Sequence, residues 1–172
     1  MKKPIFKKQI FKGKLLNLYI EKQRFPNGYV GQLEIIKHPG AVLIVPFLSK
    51  DKIVLIKQYR PVIGSYIWEL PAGTLHGGEQ PLTCAKRELI EETGYYAAQW
   101  KARGSIYPAP GYTTEKIRIY EARRLRKVDS AIQEDEVIAV NILRKKDVTR
   151  LFKAGKIVDA KTICAFTHTG IL

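Results

Sequence analysis

Apolar and polar positions alternate with a period of two in several short stretches of the chain, the spacing that turns one face of a β-strand to a core and the other to water. Residues 15–20 and 29–36 read this way, and Asn27-Gly28 between them is a strong hairpin signal, since both residue types accept the positive φ of a tight turn. His38-Pro39-Gly40 then breaks the pattern. Beyond it AVLIVPFL (41–48) and KIVLIKQY (52–59) are near-continuous apolar runs and predict two buried strands joined by a turn at Ser49-Lys50-Asp51. A later strand pair is predicted at 116–122 and 137–143, and helical signals fall at 81–93, 146–154 and 160–167. Helices interleaved with hairpin-like strands predict a mixed α/β layered fold rather than a doubly wound parallel sheet. A small antiparallel β region over residues 1–38 would precede one larger domain over 39–172.

Composition narrows the class. A chain of 172 residues with 45% apolar and 27% charged residues can bury a proper core and is not a disordered or fibrous sequence. The run at 41–48 falls far short of the roughly 20 apolar residues that span a bilayer. Lys7, Lys8, Lys12 and Lys14 interrupt any leader-like stretch. No membrane partner and a cytoplasmic location are therefore expected, with Cys84 and Cys164 as reduced, packed thiols. Thirty Lys and Arg against sixteen Asp and Glu give a net charge of +14, which favours encounter with anionic ligands. The densest basic run, Arg123, Arg124, Arg126 and Lys127, has no interleaved aromatics and reads as solvated surface; specific nucleic-acid binding is not expected.

Candidate chemistry is concentrated in GTLHGGEQPLTCAKRELIEETGY (73–95). Pro81 suits the first turn of a helix, where its missing N–H has no partner, and Gly94 suits the position just past the end. Spacings of three and four bring Glu88, Glu91 and Glu92 onto one helix face, while Leu82, Ala85 and Leu89 fall on a neighbouring face that can anchor the helix. Three acids on one stripe repel each other. They are either a solvated face paired to lysines or the oxygen ligands of a hard cation such as magnesium, which uses few carboxylates and the substrate's own phosphates.

The whole segment decides between these. Gly73, Glu79, Arg87, Glu88, Leu89, Glu91, Glu92, Gly94 and Tyr95 fill every defined position of the Nudix box, and the chain resembles a Nudix hydrolase. That resemblance implies an α/β/α sandwich and hydrolysis of a nucleoside diphosphate linked to another group. It implies Mg2+ or Mn2+ at Glu88 and Glu92, two or three ions with substrate bound, with Glu91 as an additional acid, Arg87 orienting the glutamates, the Ala72 carbonyl completing the shell, and Glu79 fixing the loop. HPGAVLIVPF, IKQYRP, WELPAG and YPAPGYTTEK (107–116) resemble the ADP-ribose pyrophosphatase branch. This implies substrate contacts at Pro110 and Gly111. On the same resemblance Glu134 would be the base and Glu136 a metal ligand, with Asp135 and Glu115 as competing bases. Glu115 also stands among the candidate substrate contacts. Arg60 is a candidate phosphate or ribose partner because a guanidinium presents a fork to phosphate oxygens. Tyr19, Phe25 and Tyr29 could stack on a base. The branch further implies a homodimer in which the amino-terminal β region crosses to its neighbour. His38, His76 and His168 do not form a zinc set. Other sugar nucleotides such as GDP-mannose, dinucleoside polyphosphates or capped RNA remain open as substrates, as does a silent nucleotide-binding module.

Overall fold

The computed structural model describes residues 3–128 and 137–172. Three strands open the chain: β1 (Phe6–Lys12), β2 (Asn17–Arg24) and β3 (Val30–Lys37) form an antiparallel sheet in that order. The predicted hairpin is β2–β3, with Phe25 N–H bonded to the Tyr29 carbonyl around Asn27-Gly28. Leu15 and Leu16 lie before β2 and are exposed, because the chain turns there through a Gly13 N–H to Leu16 carbonyl bond.

The remaining strands are β4 (Ala41–Pro46), β5 (Lys52–Arg60), β6 (Ser65–Glu69), β7 (Ala72–Thr74), β8 (Tyr95–Ile106), β9 (Ile117–Lys127) and β10 (Ile138–Arg144). They make two sheets, ordered β7-β4-β9-β8 and β10-β5-β6. The strands at 41–48 and 52–59 are buried and joined by the predicted turn, but they belong to different sheets, linked by a Phe47–Ile53 bridge. The strand pair predicted at 116–122 and 137–143 is corrected: β9 runs parallel to β4, and β10 pairs with β5. The physical reason is that β4 is central and covered on both faces, so its six residues are all buried and carry no alternation from which a partner could be read.

Of the helices α1 (Pro81–Thr93), α2 (Lys145–Lys153) and α3 (Ala160–His168), α1 and α3 pack on the β7-β4-β9-β8 sheet and α2 on β10. Val42 and Ile44 pack with Ala97 and Ala122 against Cys84, Ala85 and Leu89 of α1. Ala41, Leu43 and Val45 point the other way, into a second core with Ile53, Leu55, Val148 of α2, and Ala165 and Phe166 of α3. Alternation along one strand thus builds a layered sandwich. Cys84 takes the core position that Leu82 was expected to fill; Leu82 is 36% exposed. The basic run on β9 is less free than its composition suggests. Arg126 lies over the Tyr96 ring and Lys127 over Tyr95, aromatics that cross-strand pairing with β8 supplies, while Arg123 lies over Phe47 just past the end of β4.

Candidate active site

Helix α1 is fixed at both ends by the residues its sequence advertises. Pro81 opens it, and Gly94 closes it in the left-handed conformation with φ 65°, its N–H bonded to the Ile90 carbonyl at 2.8 Å. The helix lies against β7, and a side chain at Gly73 would overlap the carboxylate of Glu88. Only glycine lets the strand backbone approach that closely. Further along, the Ala72 N–H donates to Glu92 Oε2 at 3.0 Å. Glu88 and Glu92 are therefore both buried, each set against the Ala72-Gly73 backbone.

Arg87 holds the entrance loop to this helix. Its Nε and Nη2 donate to the two oxygens of Glu79 at 3.1 and 3.2 Å, and Nη1 lies 2.8 Å from both Glu88 Oε1 and Glu91 Oε2. Glu79 also accepts the His76 N–H at 3.1 Å, closing the loop on itself. The Arg87 hydrogen bonds hold the Glu79 carboxyl down at about 2, against the opposing effect of burial. For Arg87, burial works to lower the pKa, but the bond to Glu79 and the Glu88 and Glu91 charges outweigh it and raise the pKa. The guanidinium is thus a permanent cation that sets three carboxylates.

A cleft of about 360 Å³ is lined by Ala72, Gly73, Arg87, Glu88, Arg60, Glu115 and Lys161, among others. Six residues singled out from the sequence converge here: Arg60, Ala72, Gly73, Arg87, Glu88 and Glu115. Two others do not. Pro110 and Gly111 line a separate cavity of about 500 Å³, floored by Leu33 and Ile35 of β3 and walled by Tyr107 and Tyr112. Phe25 and Tyr29 stack on each other at the β2–β3 turn, ring centroids 5.8 Å apart, and line neither space. Glu134, Asp135 and Glu136 lie outside the described residues.

Two residues at the cleft, Glu69 and Lys161, escape the sequence reading. Glu69 is 1% exposed and accepts both Arg60 Nε at 2.8 Å and Arg60 Nη2 at 2.6 Å, while Lys161 Nζ donates to its Oε2 at 2.8 Å. Burial pushes the Glu69 carboxyl up, but these two cations outweigh it and hold it below its ordinary value. The signal was a lone acid inside the apolar stretch YIWELPA, where a buried charge requires a partner.

The donor chemistry fits a hard divalent cation: Glu88, Glu91 and Glu92 offer only oxygens. Among the described residues no three histidine, cysteine or acidic side chains stand ready-clustered for a metal. A NUDIX domain model matches residues 37–166. The chain belongs to the Nudix family. That family is generally dependent on divalent metal, in keeping with the oxygen donors of the cleft. Over 168 residues this Nudix chain is 38% identical to a protein of Bacillus subtilis (strain 168) named ADP-ribose pyrophosphatase, covering 96% of the chain and 91% of that protein. It is 37% identical to the methanol dehydrogenase activator of Bacillus methanolicus, with coverage of 96% and 91%. A crystal structure of an ADP compounds hydrolase superposes with a TM-score of 0.82 at 23% identity, over 98% of this chain and 93% of that one, so the Nudix sandwich is shared. No helix among the described residues is long and apolar enough to cross a membrane.

Proposed function

We propose that this protein hydrolyses the pyrophosphate link of ADP-ribose, releasing AMP and ribose 5-phosphate. The observation that carries this reading is the meeting of the box residues Gly73, Arg87 and Glu88 with Arg60 in one cleft, in a chain whose near-full-length relative is named for that activity. Glu88, Glu92 and the Ala72 carbonyl would hold Mg2+ or Mn2+, two or three ions with substrate bound, and Glu136 would join them. When bound, the cations neutralise charge on the phosphate oxygens and polarise the phosphorus. The chain's own residues do the rest. Arg87 sets the glutamates, Arg60 grips a phosphate oxygen, and Glu134 takes the proton of the attacking water as its oxygen bonds to phosphorus. The bridging P–O bond breaks and the leaving phosphate departs with that electron pair. Glu115, which lines the cleft, is the alternative base.

The reading extends to a homodimer, with residues 1–38 as an exchanged β region and residues 39–172 as the hydrolase domain. Its support is β1, exposed along its whole length with Phe6 and Phe11 about half in solvent, an edge that a lone monomer would leave open to unwanted pairing. In a dimer Phe25 and Tyr29 would offer a stacking face for the base.

A panel of ADP-ribose, GDP-mannose, diadenosine polyphosphate, dGTP and capped RNA, each with magnesium and with chelator, tests the proposal. Magnesium-dependent AMP and ribose 5-phosphate from ADP-ribose is the expected result. Preferential cleavage of another compound would reassign the substrate, and binding without turnover of any would make the protein a nucleotide-binding module.

A further inference from the structure

Helix α3 begins with an arrangement that fold stability does not call for. Lys161 stands in its first turn, where the positive end of the helix dipole disfavours a cation. It shares the carboxylate of Glu69 with a second cation, Arg60. A buried carboxylate with two cations is no more stabilising than an apolar plug of similar volume, because each charge must be stripped of water. The placement is nonetheless tightly determined. Asp159 caps the helix by accepting the Thr162 N–H at 3.0 Å, and the Leu70 N–H donates to the buried Thr162 Oγ1 at 2.9 Å. Consecutive residues of α3 are thus fastened to the last residue of β6 and the one after it, Lys161 to Glu69 and Thr162 to Leu70.

An ammonium has three N–H donors. Glu69 and Asp159 stand within 2.8 and 2.9 Å of Lys161 Nζ, which leaves one donor for the cleft that Lys161 lines. Arg60 has five donors, of which Glu69 takes two. Two preset cations therefore face the same cleft as Glu88.

We propose that Lys161 is a phosphate-binding residue of this active site, forming with Arg60 a two-cation clamp on the substrate's pyrophosphate, and that Glu69 is the positioning residue that sets both. This deepens the pyrophosphatase reading and rests on it for the identity of the site. The clamp takes any pyrophosphate-bearing ligand, whatever the base or sugar.

The test compares wild type with Lys161→Met, Lys161→Arg and Thr162→Val, the last loosening the same helix start without altering charge. With magnesium present, the dissociation constant of inorganic pyrophosphate, the KM and kcat for ADP-ribose and the melting temperature are measured. Loss of one charge-assisted bond predicts about tenfold weaker pyrophosphate binding in Lys161→Met, with a comparable rise in KM. Lys161→Arg should recover most of it. Thr162→Val should lower the melting temperature and leave pyrophosphate binding within about twofold of wild type. Pyrophosphate affinity unchanged in Lys161→Met would overturn the clamp, and so would an equal loss in Thr162→Val, which would make Lys161 merely structural. Because pyrophosphate binding is read without turnover, tenfold weakening in a protein that does not cleave ADP-ribose would sustain the clamp and remove the substrate reading instead.

Discussion

The backbone of Gly73 and the carboxylate of Glu88 occupy adjoining volume, so closely that a single added methyl on the glycine would overlap the acid. The glycine of the box is therefore a steric requirement of its glutamate, and the two cannot vary independently. Gly73→Ala should displace Glu88 by an ångström or so and reduce kcat/KM for ADP-ribose by about 100-fold, the scale on which such misplacement acts. Circular dichroism should stay near native, because the methyl meets side-chain atoms of Glu88 rather than backbone. A Gly73→Ala variant with activity close to wild type would mean that Glu88 has room to work elsewhere.

The entrance loop carries a pH signature through Glu79. Its carboxyl is held at about 2 by Arg87 against an ordinary value of 4.5, so the folded state favours the charged form. A depressed carboxylate stabilises the fold above the unfolded pKa, and that contribution fades as pH falls from about 4.5 toward about 2. Glu79→Gln should accordingly melt below wild type at pH 6, with the gap closing progressively as the pH is lowered through that window. A gap that is constant with pH would show that Glu79 acts by packing alone.

How much of the fold and site is legible in the sequence depends on local signals. Helix α1 is readable residue by residue because Pro81 and Gly94 mark its ends and the box fills its face. Strand β8 is not, since Tyr95, Tyr96, Ala97 and Ala98 carry no alternation and the register shifts between Ala102 and Gly104. Strand β1 escapes for a related reason: with every residue exposed, no buried face imposes a period. The cleft glutamates come from the motif, but Lys161 is invisible, because its function depends on a contact with Glu69 made across the fold.

The exposed β1 edge makes the assembly testable. If the amino-terminal sheet is completed by a second copy, a charge in its apolar face should oppose association. Phe6→Glu should shift sedimentation from dimer to monomer and, if Phe25 and Tyr29 stack on the base in the neighbouring site as proposed, reduce ADP-ribose turnover at least about tenfold. Wild-type protein sedimenting as a monomer with full activity would remove the dimer from the proposal.

The two cysteines should differ sharply toward thiol reagents. Cys84 is fully buried on α1, its Sγ 3.4 Å from Arg87 Nη2. Burial pushes its thiol up to about 12, with the Glu88 and Glu79 charges adding to the effect. The thiolate is the reactive form, so Cys84 should stay unmodified in native protein at pH 8 while Cys164, half-buried on α3, reacts first. Mass spectrometry after brief alkylation should find one label on native protein and two after denaturation. Magnesium should leave that count unchanged, because the thiol belongs to the core under α1. Rapid native labelling of Cys84 would mean that α1 opens from β4 and β7, and the fixed placement of Glu88 and Glu92 would then need revision.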